Sequence, residues 1–238
     1  MGCCAACEAS SSEPNAMLSV APITLSQLSI LRFDPFAMDI QQYFHELLQT
    51  AAWTANTELP SVTIKSLPTS RYSEKAPVMC LQLAPFQATD PAYIVQLLTD
   101  PKLRMSWDEM LGDCHELQSS SRTVYYSLFQ FPFPFKDRDF IETAVILPSN
   151  SGLTLVKYST EECEVQSQAE RGTTHFFVAR VKVREGLTEV TVMAQMDLSL
   201  PFKQQILMRY ASLLVKDWVE EFIKKAQDGR KELSASMN

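Results

Sequence analysis

The sequence has few glycines and few histidines, and this scarcity excludes several kinds of enzyme. Its six glycines are dispersed over 238 residues, so it contains neither a P-loop nor a glycine-rich nucleotide fingerprint. The three histidines His45, His115 and His175 are far apart and form no HExxH motif. A G-x-S-x-G nucleophile elbow is absent as well. These absences argue against an enzyme, and no catalytic residue is predicted.

Charge, hydropathy and cysteine spacing exclude further classes of protein. The net charge of −7 argues against nucleic acid as a partner. No apolar run is long enough to cross a bilayer, and no secretory signal is expected at the start. Three of the six cysteines crowd at Cys3, Cys4 and Cys7, which is typical of a cytoplasmic protein rather than a disulfide framework. Because Cys4 and Cys7 have no second pair nearby, no metal site is predicted.

The aromatic stretch Thr123–Leu147 is the feature around which the rest of the chain is organised. It contains two runs of strand length, Thr123–Phe131 and Phe140–Leu147, that are rich in β-branched and aromatic residues. Pro132 and Pro134 lie between them and predict a corner, because proline cannot donate to a strand ladder. Both faces of each strand carry large apolar groups. One face can pack on the protein body, and the other must cover something else.

Helix starts and strand alternation predict the fold class. Aspartate followed by proline occurs three times, as a helix N-cap followed by the first helical residue. The predicted helices run from Pro35 to about Trp53, over Pro91–Leu98 and Pro101–Met105, and from Pro201 to about Ala226. The predicted strands are Ser61–Leu67, Val78–Phe86, Arg122–Phe131, Asp139–Leu147, Leu153–Ser159, Thr174–Val183 and Thr188–Leu198. We therefore predict an α+β fold, in which one curved antiparallel sheet grips a long C-terminal helix.

An ordered set of short motifs resembles START domains, the steroidogenic acute regulatory protein-related lipid transfer family. The motifs are Arg104-x-x-Trp107-Asp108, Pro132-x-Pro134, Arg138-Asp139-Phe140, Arg171-Gly172, Asp197-Leu198 and the terminal helix that begins with proline. The resemblance is clear over about Val78–Ala226. It implies a helix-grip fold in which sheet and helix enclose one lipid, so the cargo is a lipid and no cofactor is needed. Residues 17–230 are predicted to form this one domain, between a flexible tail over 1–16 and a disordered tail over 231–238.

The phosphatidylcholine-transfer-like branch of that family is the most similar, and it implies a site. In that branch an arginine grips the lipid phosphate and an aspartate four residues later holds the arginine, as Arg104 and Asp108 would here. The alternative is an ordinary surface pair worth a few tenths of a kcal/mol. Arg138 and Asp139 are predicted to orient the corner rather than contact lipid. The other predicted lipid-binding residues are Trp107, Tyr126, Ser127, Phe129, Phe140, Tyr210, Leu214 and Trp218.

Departures from the family's patterns bear on the head group. The sterol-binding branch has an arginine where this chain has Ala144, so a sterol is the less favoured cargo. The phosphatidylcholine branch surrounds choline with aromatic rings. Phe140 keeps one of these, but Ser127 and Ala179 replace two others. The predicted cargo is therefore a glycerophospholipid, and the sequence does not assign choline as its head group.

Met1-Gly2-Cys3-Cys4 predicts an acylated N-terminus. Myristate on Gly2 and palmitate on Cys3 or Cys4 would supply the two chains that stable anchoring needs. Ala6 departs from the usual myristoylation pattern, and an unmodified tail is the alternative. The predicted protein is a cytoplasmic monomer that contacts membrane surfaces, as a peripheral membrane protein if the tail is acylated.

Three functions fit this sequence. The favoured one is a lipid-transfer protein that moves one glycerophospholipid between membranes after the last helix or a nearby loop opens. The second is a membrane-tethered lipid sensor without net transfer. A further alternative is a carrier whose cargo is a sterol. The third is an enzyme that uses the helix-grip cavity, which would need several ionisable groups there.

Overall fold

The computed structural model describes residues 34–87, 90–119, 122–132, 135–149, 152–199 and 215–229. Four helices lie within them: α1 (Pro35–Thr50), α2 (Pro91–Thr99), α3 (Pro101–Met105) and α4, described over 215–229. The predicted tails, over 1–16 and 231–238, lie outside the described residues.

The described strands form one sheet. They are β1 (Thr54–Glu58), β2 (Val62–Leu67), β3 (Val78–Leu83), β4 (Phe86–Gln87), β5 (Leu111–Leu117), β6 (Val124–Phe129), β7 (Arg138–Ser149), β8 (Gly152–Ser159), β9 (Glu170–Arg171), β10 (Thr173–Arg184) and β11 (Leu187–Asp197). Their order is β1-β2-β3-β11-β10-β8-β7-β6-β5, with β4 beside β11 and β9 beside β7. The short β7–β9 pairing is parallel, and the other pairings are antiparallel. This curved sheet with a C-terminal helix confirms the predicted α+β fold class.

Aspartate caps fix where the first three helices begin. Each aspartate carboxylate accepts a backbone N–H within the first turn, at 2.9 Å. The proline that follows has no N–H to lose at the first helical position. The three predicted helix starts are confirmed, with Asp34 bonded to Ala37, Asp90 to Ala92 and Asp100 to Leu103.

The two faces of the sheet bury different helices. One face packs against α1 through residues such as Phe176 and Val178. The other face packs against α2 and α4, where Phe222 of α4 is completely buried. Side chains alternate between these faces along each strand. Both faces are covered, which explains why the strands carry apolar residues on both sides.

Contacts around Arg138 and Asp139 close the corner that follows β6. The Arg138 guanidinium donates to the carbonyls of Leu198 and Lys136, at 2.6 and 2.7 Å. The Asp139 carboxylate accepts two hydrogen bonds from the guanidinium of Arg171, at 2.7 and 3.1 Å. Both residues thus hold backbone and a neighbouring strand in place, which is the role predicted for them.

Three strands were not predicted. The short β9 pairs with β7, and the two longer ones, β1 and β5, both lie at an edge of the sheet. An edge strand pairs on one side alone, so few of its side chains need to be buried. In β5, Leu111 and Cys114 are buried while the residues between and beyond them are partly or fully exposed. The sequence of such a strand lacks the regular alternation on which strand prediction depends.

Gly172 allows β9 and β10 to approach the ring of Phe140. A Cβ on Gly172 would lie 2.3 Å from Cε1 of that ring, so Gly172→Ala should push the ring aside. We expect the free energy of unfolding to fall by about 1–3 kcal/mol, the usual range for overpacking, as measured by urea denaturation. Phe140→Leu should relieve the clash, so the double variant should lose less stability than the sum of the single variants. Additive losses would contradict this contact.

Candidate functional site

A cavity of about 260 Å³ lies between the α4 side of the sheet and the helices. Strands β3, β6, β7, β8, β10 and β11 and helices α2, α3 and α4 contribute to its wall, which is mostly apolar. Aromatic rings form much of that wall, and they belong to Phe129, Phe131, Phe140, Phe177 and Trp218. Three charged side chains also reach it, those of Arg104, Glu142 and Lys157. The cavity therefore has the composition of a site for an apolar ligand with one polar end.

Arg104 and Asp108 form a buried pair at that polar end. Arg104 lies on α3 and Asp108 follows one turn later, so Nε of Arg104 is 3.4 Å from Oδ2 of Asp108. The two side chains are 11% and 1% exposed, which rules out the alternative of a surface pair. The indole N–H of Trp218 also donates to Oδ2, at 3.3 Å. Neither Arg104 Nε nor Asp108 Oδ1 has a hydrogen-bond partner among the described residues.

Three of the predicted aromatic residues line the cavity beside this pair. Phe129 on β6 and Phe140 on β7 meet edge to face, with ring centres 5.6 Å apart. The guanidinium of Arg104 lies 5.4 Å from the centre of the Phe129 ring, within the range of a cation–π contact. Trp218 on α4 closes the other side. The apolar groups therefore position the cation at the cavity without neutralising it.

Glu142 and Lys157 form a second charged pair in the same cavity, and it was not predicted. Nζ of Lys157 donates to the carbonyl of Leu98 at 3.0 Å and lies 3.9 Å from Oε2 of Glu142. The other oxygen of Glu142 accepts the hydroxyl of Thr174 at 2.6 Å. Lys157 sits directly across the ladder from Ala144, whose methyl group leaves room for the longer side chain. This arrangement places a cation opposite the position where the sterol-binding pattern would have an arginine.

Comparison with solved structures gives the architecture its name. The crystal structure of human STARD10 has a TM-score of 0.71 and 14% sequence identity, covering 86% of this chain and 85% of that one. Human StAR-related lipid transfer protein 5 has a TM-score of 0.67 and 16% identity, and the match covers 83% of this chain and 100% of that one. This chain has the START fold. The predicted helix-grip architecture is thereby confirmed.

Sequence relatives point the same way at lower coverage. The chain is similar to bovine phosphatidylcholine transfer protein, with 26% identity over 108 residues, 36% of this chain and 51% of that protein. It is also similar to the mouse phosphatidylcholine transfer protein, with 23% identity over 154 residues, 54% of this chain and 69% of that protein. The chain thus spans about half the length of the bovine relative. No protein-family model matches the sequence.

Some of the predicted lipid-binding residues lie away from the cavity of this START fold. Tyr126 belongs to the opposite face of β6, where it packs with Val124 and Ile141, so the structure does not support it as a lipid contact. The reason is the strand period of two, because Phe129 is three residues further along. Trp107 and Ser127 are buried behind the cavity wall. Trp107 donates to the carbonyl of Leu97 and packs on Trp218, and Ser127 lies 3.7 Å from the sulfur of Cys114.

The remaining predicted site residues lie outside the described part of the chain. They are Tyr210 and Leu214, which belong to the helix predicted from Pro201, and Gly2, Cys3 and Cys4 at the N-terminus. Their roles stay predictions. Within the described ranges, no helix is both long and apolar enough to cross a membrane. No group of three or more His, Cys, Asp or Glu side chains in those ranges could hold a metal ion.

Burial gives Lys157 a pKa that makes stability depend on pH. Burial, and then the nearby charge of Arg104, lower this pKa from 10.5 to about 8, although Glu142 and Asp108 act in the opposite direction. Between those two pH values the unfolded chain binds more protons at this residue than the folded protein does. Stability contributed by this residue therefore rises with pH in that window. From pH 8 to pH 9.5 we expect the unfolding free energy to rise by about 2 kcal/mol relative to Lys157→Met, measured by urea denaturation. A constant difference between the two proteins would contradict the lowered pKa.

Proposed function

We propose that this START-fold protein binds one glycerophospholipid in its cavity and transfers it between membranes. The observation that carries the proposal is the guanidinium of Arg104, with its buried Nε, at the polar end of an apolar cavity. Its partner Asp108 holds one side of it, and Nε lacks a hydrogen-bond partner among the described residues. A buried donor of this kind is costly without an acceptor. A phosphate group supplies oxygens that a guanidinium can contact with two parallel hydrogen bonds.

Such a site supports transfer because the cavity replaces, for each part of the lipid, the environment that it has in the membrane. The acyl chains leave a bilayer for an apolar cavity, so their free energy changes little. The phosphate leaves water and needs charged donors in return, which Arg104 provides. Two relatives carry the name phosphatidylcholine transfer protein, and this supports a phospholipid over a sterol. We propose binding without chemical conversion, by a monomer at a cytoplasmic membrane surface, with the predicted acylated tail as an anchor.

Loading requires an opening in the cavity wall that admits a head group and two acyl chains. Val215 and Trp218 place α4 in that wall. We therefore propose that displacement of the terminal helix admits the lipid.

A vesicle-to-vesicle transfer assay with fluorescent phospholipids tests this function, and a cavity-filling variant makes it specific. Ala194 lines the cavity, so Ala194→Trp should occupy the space of the lipid and lower the transfer rate at least about tenfold. Ala52 is exposed, and Ala52→Trp is the matched control with an unchanged rate. Binding without transfer would favour the lipid-sensor alternative. Absence of phospholipid binding would overturn the proposal.

A further inference from the structure

The ammonium group of Lys157 lies close to two aromatic rings at the polar end of the cavity. Its Nζ lies 5.8 Å from the ring centre of Tyr125 and 5.9 Å from that of Phe177. Aromatic faces within about 6 Å attract cations, and they are the surfaces that bind quaternary ammonium ligands. The side chain of Lys157 is 5% exposed. Phe177 lines the cavity, so the protein's own cation lies against one of the aromatic rings of the cavity wall.

The hydrogen-bonding groups at this end of the cavity are mostly donors. A guanidinium has five N–H groups and an ammonium has three, and Arg104 and Lys157 both line the cavity. The carboxylates of Asp108 and Glu142 are mostly engaged with protein groups, and Oδ1 of Asp108 is the one carboxylate oxygen of these two residues that has no described partner. Asp108 pairs with Arg104 and Trp218, while Glu142 accepts from Thr174 and faces Lys157. A head group rich in acceptor oxygens would match this set, whereas a trimethylammonium group offers no hydrogen bond to it.

We propose that the cavity selects a glycerophospholipid with an anionic head group that carries no ammonium, and that Lys157 determines this selection. The inference rests on the proposed phospholipid cargo and adds its chemical class. Arg104 contacts the phosphate from α3, and Lys157 contacts the acceptor oxygens of the same head group from β8. The two carboxylates at this end are paired with Arg104 and Lys157. An anionic head group would bring acceptor oxygens to the N–H groups of these two cations, whereas a choline or ethanolamine head group would bring a further cation beside them.

Competition within one vesicle population tests this selection. The full-length protein is equilibrated with vesicles that contain equal amounts of phosphatidylglycerol and phosphatidylcholine, with acyl chains of distinguishable mass. Native mass spectrometry then gives the ratio of the two lipids bound. Because both lipids are in the same membrane, the repulsion between anionic vesicles and a chain of net charge −7 affects them equally. We expect at least about tenfold more phosphatidylglycerol than phosphatidylcholine on the wild-type protein.

Variants at Lys157 show whether that residue is responsible. Lys157→Met should bring the ratio close to equal while phospholipid is still bound through Arg104, and Lys157→Arg should keep the preference. Glu142→Gln combined with Lys157→Met removes both charges and gives the same readout if the single variant folds poorly. A wild-type ratio of one or below would overturn the inference, as would a preference that survives Lys157→Met. If the wild type binds neither lipid, the proposed function itself fails.

Discussion

Replacement of Arg104 by glutamine should lower phospholipid affinity about a hundredfold or more. A hydrogen bond to a charged group contributes about 1.5–3 kcal/mol, and a guanidinium can make two of them to one phosphate. Each 1.4 kcal/mol corresponds to about a factor of ten in affinity. The measurement is the dissociation constant for vesicle-derived phospholipid, together with the amount of lipid that remains bound on purification.

Controls must separate loss of the phosphate contact from damage to the fold. Arg104→Gln leaves the carboxylate of Asp108, which is 1% exposed, with Trp218 as its described hydrogen-bond donor. Arg104→Gln combined with Asp108→Asn removes both charges and should restore stability but not affinity. Arg71 is a surface arginine, 41% exposed and paired with Asp39, so Arg71→Gln should bind lipid normally. Full affinity in the Arg104 variants would contradict the proposed contact between this residue and the lipid phosphate.

Local signals in the sequence were sufficient to predict most elements of the fold. The aspartate caps act within one turn of their own helices, so a short segment contains all the information that places them. The β10–β11 hairpin is similar, because its turn uses two residues with positive φ, Glu185 at 51° and Gly186 at 77°. Val192, Ala194 and Met196 are separated by two residues each, so the strand period places them on one face of β11, and that face lines the cavity.

The part of the site that depends on register could not be predicted in the same way. Tyr126 and Phe129 are both aromatic residues of β6, and only the pairing with β7 determines which of them faces the cavity. Lys157 is a further example. Its partner Glu142 is on another strand and its hydrogen-bond acceptor belongs to Leu98, so no short motif contains the pair. The one available signal was an isolated charge within an apolar strand, flanked by Val156 and Tyr158.

Removal of Glu142 alone should destabilise the protein by about 2–4 kcal/mol. Lys157, with a pKa of about 8, can lose its proton at pH 7 for about 1.4 kcal/mol, and the hydroxyl of Thr174 loses its acceptor, at a cost of about 1–3 kcal/mol. Glu142→Leu would leave the ammonium of Lys157, 5% exposed, with the carbonyl of Leu98 as its described acceptor. Replacement of both charges, by Glu142→Leu with Lys157→Met, should be far less damaging, because buried ion pairs are often equalled by apolar groups of similar size. Urea denaturation of the lipid-free proteins at pH 7 measures Glu142→Leu, Lys157→Met and the double variant.

Comparison of the single and double variants shows what the Glu142–Lys157 pair contributes to stability. Thr174 donates its hydroxyl to Glu142, so Thr174→Val is added to the double variant to avoid an orphaned hydroxyl group. Losses that simply add would contradict a coupled pair and would make each charge an independent structural element. If the apolar replacement folds as stably as the wild type, the fold does not require these charges. Burial of this charged pair then costs desolvation energy without stabilising the fold, and a role in ligand binding is the best explanation. If the apolar variant also loses the preference for an anionic head group, the pair binds the polar end of the lipid.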